Sequence, residues 1–243
     1  MHMPSHLIKT LVDIIYPKKC FACGEKLNAS AASDFICGQC WGKIKKNAPP
    51  FCRLCGRRLD FKVNPKNICL SCIKKPLLFD RAFSPCSYEG VIKELIHSFK
   101  YKNKDYLGEA LSSLMIEFIK EYNLGVDYLD LIIPMPLHAA RLREREFNQA
   151  EILSGHIAKE FNKEMANDIL IRRLFKKPQA ELKPEERFSN ISGSFMLNEK
   201  IPIEGKNILL VDDVLTTGAT ASEATATLKN GGANIVFVLT LAN

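Results

Sequence analysis

Two adjacent acids, Asp212 and Asp213, follow the apolar run Ile208 to Val211 and precede Thr216, Thr217, Gly218, Ala219 and Thr220. An apolar run of this length suits a buried parallel strand, and open parallel sheets hold ligands at the carboxyl ends of their strands. The small residues that follow bring hydroxyls and backbone N–H groups to the start of a helix, an arrangement that holds a phosphate. Gly218 lets the backbone close on that phosphate. The two carboxylates then face hydroxyls or a metal beside it. Phosphoribosyl pyrophosphate fits this layout, with a monophosphate at one end, vicinal hydroxyls in the middle and a metal-bound anion beyond, so Mg²⁺ is expected with it.

A second anion site is expected where the run Leu131 to Ile133 gives way to Pro134 and Pro136, followed by His138, Arg141, Arg143 and Arg145. The prolines fix a rigid loop at a strand end, and the arginines after it suit the pyrophosphate side of the ligand. Taken alone, the segment also reads as a proline turn before a solvated basic helix face. His97 and His138 suit structural or supporting roles, since neither has a visible catalytic partner. Lys100 and Lys102 are further nearby cations. Lys176 to Asn190, with Gln179 and Arg187, has the composition of either a lid or an ordinary surface loop.

The cysteines carry a different chemistry. Cys20, Cys23, Cys37 and Cys40 form two CxxC pairs, and Cys52, Cys55, Cys69 and Cys72 repeat the same spacing 32 residues later. Two CxxC turns complete a closed tetrahedral site of four sulfurs, so two structural zinc ions are expected. Disulfides and iron–sulfur clusters are the alternatives. Leu7 to Ile15 is short, is broken by Lys9, Thr10 and Asp13 and lacks a cleavage site, so no secretory signal and a reducing, cytoplasmic location are expected. Whether the pairs close in sequence order or interleave stays open. Cys86, in an apolar run, reads as a small core residue.

The elements that must position these residues alternate between helix and strand, as a parallel α/β sheet requires. Helical faces run through Val91, Ile92, Leu95, Ile96 and Phe99, and through Leu107, Ala110, Leu111, Leu114, Phe118 and Ile119. Further helices are expected from about Asn148 to Phe161 and from Ala219 to Asn230, the latter stopped by Gly231 and Gly232. Ile208 to Val211 and Ile235 to Leu239 are strands. The 243 residues accommodate a module of an N-terminal helix plus metal ribbons over 1–75 and an α/β domain over 76–243, with a linker near Pro76. Residues 1–75 hold 14 Lys and Arg against 4 Asp and Glu, whereas 76–243 hold 20 against 23. Four thiolates around each zinc leave −2 per site, and the module stays basic. With Trp41, Phe51 and Phe61 interleaved, it suits either a nucleic-acid backbone or a solvated face. No apolar run reaches the length of a membrane span.

Ile208 to Thr220 matches the type I phosphoribosyltransferase signature at every position. With the cysteine knuckles, the Pro134-Met135-Pro136-Leu137-His138 segment and an arginine stretch ending in Phe147-Asn148-Gln149, the chain resembles the ComF family of bacterial competence and its GntX-like relatives. The resemblance implies an α/β fold: a type I phosphoribosyltransferase-like parallel sheet flanked by helices, preceded by a small double zinc-ribbon module. It implies that Asp212 and Asp213 bind the ribose hydroxyls at the catalytic centre and that residues 216–220 hold the 5′-phosphate. It also implies phosphoribosyl pyrophosphate with Mg²⁺, single-stranded DNA and other DNA-uptake proteins as partners. Glu146 stands where such proteins usually carry Gly. Thr216 stands where purine-salvage relatives carry an aspartate base, so purine salvage is not expected. Two roles stay open: an enzyme that transfers or hydrolyses phosphoribosyl groups, and a nucleic-acid-handling protein on the same fold.

Overall fold

Buried Val, Ile and Leu decide the architecture. The computed structural model describes residues 18–27, 31–59, 66–75, 77–101, 105–173 and 193–243. The expected N-terminal helix, Pro76, Phe61, Lys102 and the segment Lys176 to Asn190 lie outside the described residues.

Five strands form one wholly parallel sheet: β3 (Arg81–Phe83), β4 (Leu131–Pro134), β5 (Glu164–Met165), β8 (Asn207–Val214) and β9 (Ile235–Ala242). Their order across the sheet is β3-β9-β8-β4-β5. The central strand β8 is covered on both faces, so its apolar residues need not alternate with polar ones. Ile208, Leu209, Leu210 and Val211 are all buried. Burial of each such side chain contributes about 1.5–3 kcal/mol.

The two faces carry separate cores. Leu209, Val211, Leu239 and Ile132 pack on one side, with α3 (Gly90–Phe99), α4 (Leu107–Glu121) and α6 (Gln149–Phe161) over them. Ile208, Leu210, Val236, Val238 and Ile133 pack on the other, under α7 (Ala219–Asn230). That second face is completed by an antiparallel pair, β6 (Leu170–Arg172) with β7 (Phe195–Leu197). The expected helices appear with their predicted faces buried, and α7 has the predicted bounds. Strand β8 runs three residues beyond Val211, so the paired acids lie within the strand, just before its last residue Val214, with Asp212 in register with Thr240.

The cysteine ribbons are built into this sheet. The first includes β1 (Ala31–Ser33), β2 (Ile36–Cys37) and α1 (Gly38–Gly42), and the second includes α2 (Leu70–Lys74). Cys20, Ile36, Cys40 and Ile44 join the core on the α4 face, whereas Cys52, Cys55, Leu59 and Cys72 join the core on the α7 face. Each ribbon therefore closes a different face of the same sheet. The second also reaches the sheet edge, where the Leu54 carbonyl accepts from the Ala82 N–H of β3 at 2.7 Å. Asn243 donates to the Cys55 carbonyl at 3.0 Å, and Asn47 donates to Ser84 and to Asn243. Phe51 stacks edge-on against Phe118 and Tyr122, so it serves this docking and not a free stacking surface. No helix among the described residues is long and apolar enough to cross a membrane.

The duplicated knuckles differ at their glycines. Gly24 and Gly56 both adopt positive φ, +77° and +70°. A Cβ at Gly24 would meet open space, but one at Gly56 would lie 2.4 Å from the Ala82 carbonyl oxygen. Gly24→Ala is expected to cost about 1–2 kcal/mol from left-handed backbone alone. Gly56→Ala should add about 1–3 kcal/mol of overpacking against β3. Denaturant unfolding of the zinc-loaded variants tests this; equal losses would remove the close approach as a cause.

Candidate functional site

The eight cysteines gather in sequence order. The sulfurs of Cys20, Cys23, Cys37 and Cys40 lie within 4.8 Å of one another, as do those of Cys52, Cys55, Cys69 and Cys72. Cys23 and Cys37 sulfurs are 3.9 Å apart, and those of Cys55 and Cys69 are 3.7 Å apart. A zinc–sulfur bond of about 2.3 Å gives a tetrahedron with edges of about 3.8 Å, so both clusters fit zinc. Backbone N–H groups turn toward the sulfurs, Cys37 N–H to Cys20 Sγ at 3.4 Å and Cys69 N–H to Cys52 Sγ at 3.3 Å. Burial opposes ionisation of Cys20, but the N–H donors of Cys37, Cys23 and Ala22 outweigh it and take the thiol down to about 6. Burial and the neighbouring sulfurs push Cys40 upward instead. Four thiolates repel one another, and a dication removes that conflict.

Cys86 belongs to neither cluster. It is buried between Lys46 and Ala242 as a one-residue extension of the sheet, and burial pushes its thiol up to about 12. It is an inert core residue.

At the carboxyl ends of β4 and β8 the structure assembles acids and cations from four elements. Asp212 accepts from the Asp213 N–H at 2.8 Å, and Asp213 pairs with Lys100 at 2.8 Å, just past the end of α3. Burial, reinforced by the Asp213 charge, pushes the Asp212 carboxyl up to about 7, against the pull of its hydrogen bond, Lys100 and Arg172. Arg172, the last residue of β6, is a further candidate that the sequence analysis did not name. Burial pulls its guanidinium down from the ordinary value, while the charge of Asp212 opposes that and Arg141 reinforces it. Its Nε is buried without a hydrogen-bond partner, and its guanidinium lies over the Phe195 ring at 5.4 Å. Arg172 and Asp212 form no ion pair within 4 Å. A single arginine in a three-residue strand gives no periodic signal; only the β6–β7 pairing brings it over the acids.

The expected phosphate loop, residues 216–220, follows in the chain. Thr216 is exposed, Thr217 and Thr220 are half-buried, and Gly218 is the N-cap of α7 at φ +77°. Thr217 Oγ1 accepts from Ala219 N–H at 3.4 Å, and the first turn of α7 holds no acid. An anion there meets an open helix start.

The proline loop after β4 faces the same end of the sheet. His138 caps α5 (Ala139–Arg145), its Nδ1 accepting from Ala140 N–H at 3.1 Å. Arg141 is half-buried and Arg143 exposed. Arg145 is only 7% exposed, and its guanidinium donates to Gln149 at 3.0 Å, so it is turned away from the loop surface. Gln149 in turn donates to the Phe99 carbonyl, one residue before Lys100. Asn148 caps α6 and donates to Met135 in the proline loop at 3.1 Å. Asn148 and Gln149 thus brace both the loop and the cation that pairs with Asp213. Glu146 sits at φ +69°, the left-handed region where glycine carries no Cβ penalty.

Comparison with known proteins matches two segments of the chain. Residues 11–76 match the model of the double zinc ribbon domain, and residues 148–243 match that of the phosphoribosyl transferase domain. The chain is 28% identical to the DNA utilization protein YhgH of Shigella flexneri, over 82% of this chain and 87% of that protein. It is 27% identical to competence protein F of Haemophilus influenzae, over 92% and 96%. With competence protein ComFC of Bacillus subtilis it shares 29% identity, over 85% and 83%. A double zinc ribbon model and a phosphoribosyl transferase model on one chain, with these relatives along most of its length, make the chain similar to the competence proteins F and ComFC.

Proposed function

We propose that the chain binds phosphoribosyl pyrophosphate with Mg²⁺ at the carboxyl ends of β4 and β8, and uses that site to handle single-stranded DNA in natural transformation. A competence-related role is supported by the relatives named competence protein F and ComFC. The observation that carries the ligand assignment is the continuity of β8: two carboxylates lie in the last three residues of the strand and, five residues after Asp213, Gly218 opens a helix whose first turn holds no acid.

In this reading residues 216–220 receive the 5′-phosphate, and Asp212 and Asp213 accept the ribose hydroxyls. Arg141 and Arg172 stand on the pyrophosphate side with the backbone of Pro134 and Pro136. Arg143, being exposed, would reach that anion from solvent, while His138 and Arg145 hold the loop in shape. The two carboxylates are hard oxygen donors suited to Mg²⁺, and the chemistry the ion supplies is neutralisation of the pyrophosphate charge. Lys100 pairs with Asp213 and aligns it. Partner proteins of DNA uptake belong to the same proposal.

One observation favours a second reading, turnover as a phosphoribosyltransferase or phosphoribosyl hydrolase with an unidentified acceptor. A carboxyl that titrates near neutrality is suited to moving a proton at physiological pH, and Asp212 is pushed up to about 7. Binding without turnover gives no release of pyrophosphate; hydrolysis or transfer does.

Calorimetric titration of the zinc-loaded protein with Mg²⁺ and phosphoribosyl pyrophosphate should give saturable binding. The Asp212→Asn/Asp213→Asn variant should lose it by tenfold or more. Retention of full affinity in that variant would remove the acids from the ligand site. A coupled assay for pyrophosphate on the same samples separates the two readings.

The raised Asp212 carboxyl also sets a pH signature. Between its unfolded value of 3.8 and about 7, the folded protein holds a proton that the unfolded chain releases. Stability contributed by this group therefore falls as pH rises across that window, and the cost is complete above it. Asp212→Asn should match the native protein near pH 4 and exceed its melting temperature near pH 8. A constant difference across that range would show that Asp212 ionises normally.

A further inference from the structure

A cavity of about 240 Å³ lies between the second zinc ribbon and the phosphate loop. Its loop wall is Leu215, Thr216, Thr217 and Gly218, and its ribbon wall includes Arg57, Ser71 and Lys74. Leu77 and Leu215 give it an apolar floor, and Leu77 lies so close to Gly218 that a Cβ there would meet it at 2.8 Å. The side chains of the described lining include cations and hydroxyls beside Asn243 and the Cys55 and Cys72 sulfurs, with no Asp or Glu among them. Arg57 and Lys74 are exposed and make no ion pair among the described residues. An anion with an attached apolar or ring portion satisfies both walls and the floor.

We infer that this cavity binds the 5′-phosphorylated end of a nucleic-acid single strand, held between the phosphate loop and the cations of the second ribbon. The loop takes the terminal phosphate, the leucines take the first nucleoside, and Arg57 and Lys74 take the next phosphate. A terminal nucleotide and a phosphoribosyl donor share the sugar 5-phosphate that the loop recognises, so the inference rests on the phosphate-loop reading above. It adds a strand contact that a free donor does not need. The ribbon walls the cavity through α2 and the knuckle at Cys55, so its zinc holds one side of the strand site in place.

The test compares 5′-phosphorylated and 5′-hydroxyl oligothymidylate by fluorescence anisotropy across a salt series. The native protein and Arg57→Ala/Lys74→Ala are both used, with phosphoribosyl pyrophosphate titrated calorimetrically and zinc counted by native mass spectrometry. Native protein should favour the phosphorylated strand by about tenfold. The variant should lose most of that preference, and its salt slope should shrink by about 0.7 per lost phosphate contact. Zinc content and donor affinity should be unchanged. Unaltered strand binding in the variant overturns the inference, as does a native protein indifferent to the 5′-phosphate. Loss of zinc assigns the two cations to balancing the thiolates and overturns it, and an equal loss of donor and strand affinity reduces the cavity to part of the donor site. If native protein ignores the donor yet favours the phosphorylated strand in an Arg57- and Lys74-dependent way, the donor reading fails and this one stands.

Discussion

Negative charge taken out of water must be answered by positive charge held nearby, and among the described residues three clusters illustrate this. Two are the cysteine clusters, where four sulfurs crowd within 4.8 Å of one another. The third is the end of β8, where adjacent carboxylates are met by Lys100 and Arg172, with Arg141 near the latter. The cost of leaving such groups unanswered is large. Much of the remaining structure serves to bring the answering groups: α3 ends at Lys100, β6 ends at Arg172, and Arg145 and Gln149 brace the Phe99 carbonyl beside that lysine.

The same constraint explains why ribbons and sheet are not separable pieces. A metal cluster folds a short polar segment that could not bury enough apolar area by itself. Here the buried sulfurs also belong to the domain cores, one cluster on each face of the sheet. Duplication supplied two similar ribbons, and their surroundings made them different. Gly24 faces open space, while the equivalent Gly56 is pressed against β3.

Long periodic segments and regular spacings were readable without coordinates. The apolar faces of α3 and α4, the limits of α7 and the two metal clusters all follow from residues repeated at fixed intervals. The ends of strands were less legible, because the apolar run that signals β8 stops at Val211 while its ladder to β9 continues to Val214. Strands β3, β5, β6 and β7 have two or three residues each, too few for any period to show. Arg172 was hidden for this reason, since its relation to Asp212 exists only through pairing across the sheet. Arg145 differs from its neighbours in a way spacing does not reveal: Arg141 is half-buried and Arg143 exposed, whereas Arg145 is buried and donates to Gln149. The glycine usual at position 146 in similar chains gains its explanation from a positive φ that composition cannot reveal.

The hydrogen bond from Ala82 to Leu54 has a further meaning. Strand β3 is the outermost strand on its side of the sheet, and an outer strand offers unpaired backbone groups to any other extended chain. The second knuckle occupies that position with its own backbone. A cell short of zinc would therefore lose more than a small module: it would hold molecules with an uncovered edge, prone to pair with one another. Metal supply becomes a determinant of solubility, and purification with strong chelators is a condition under which this protein should form aggregates.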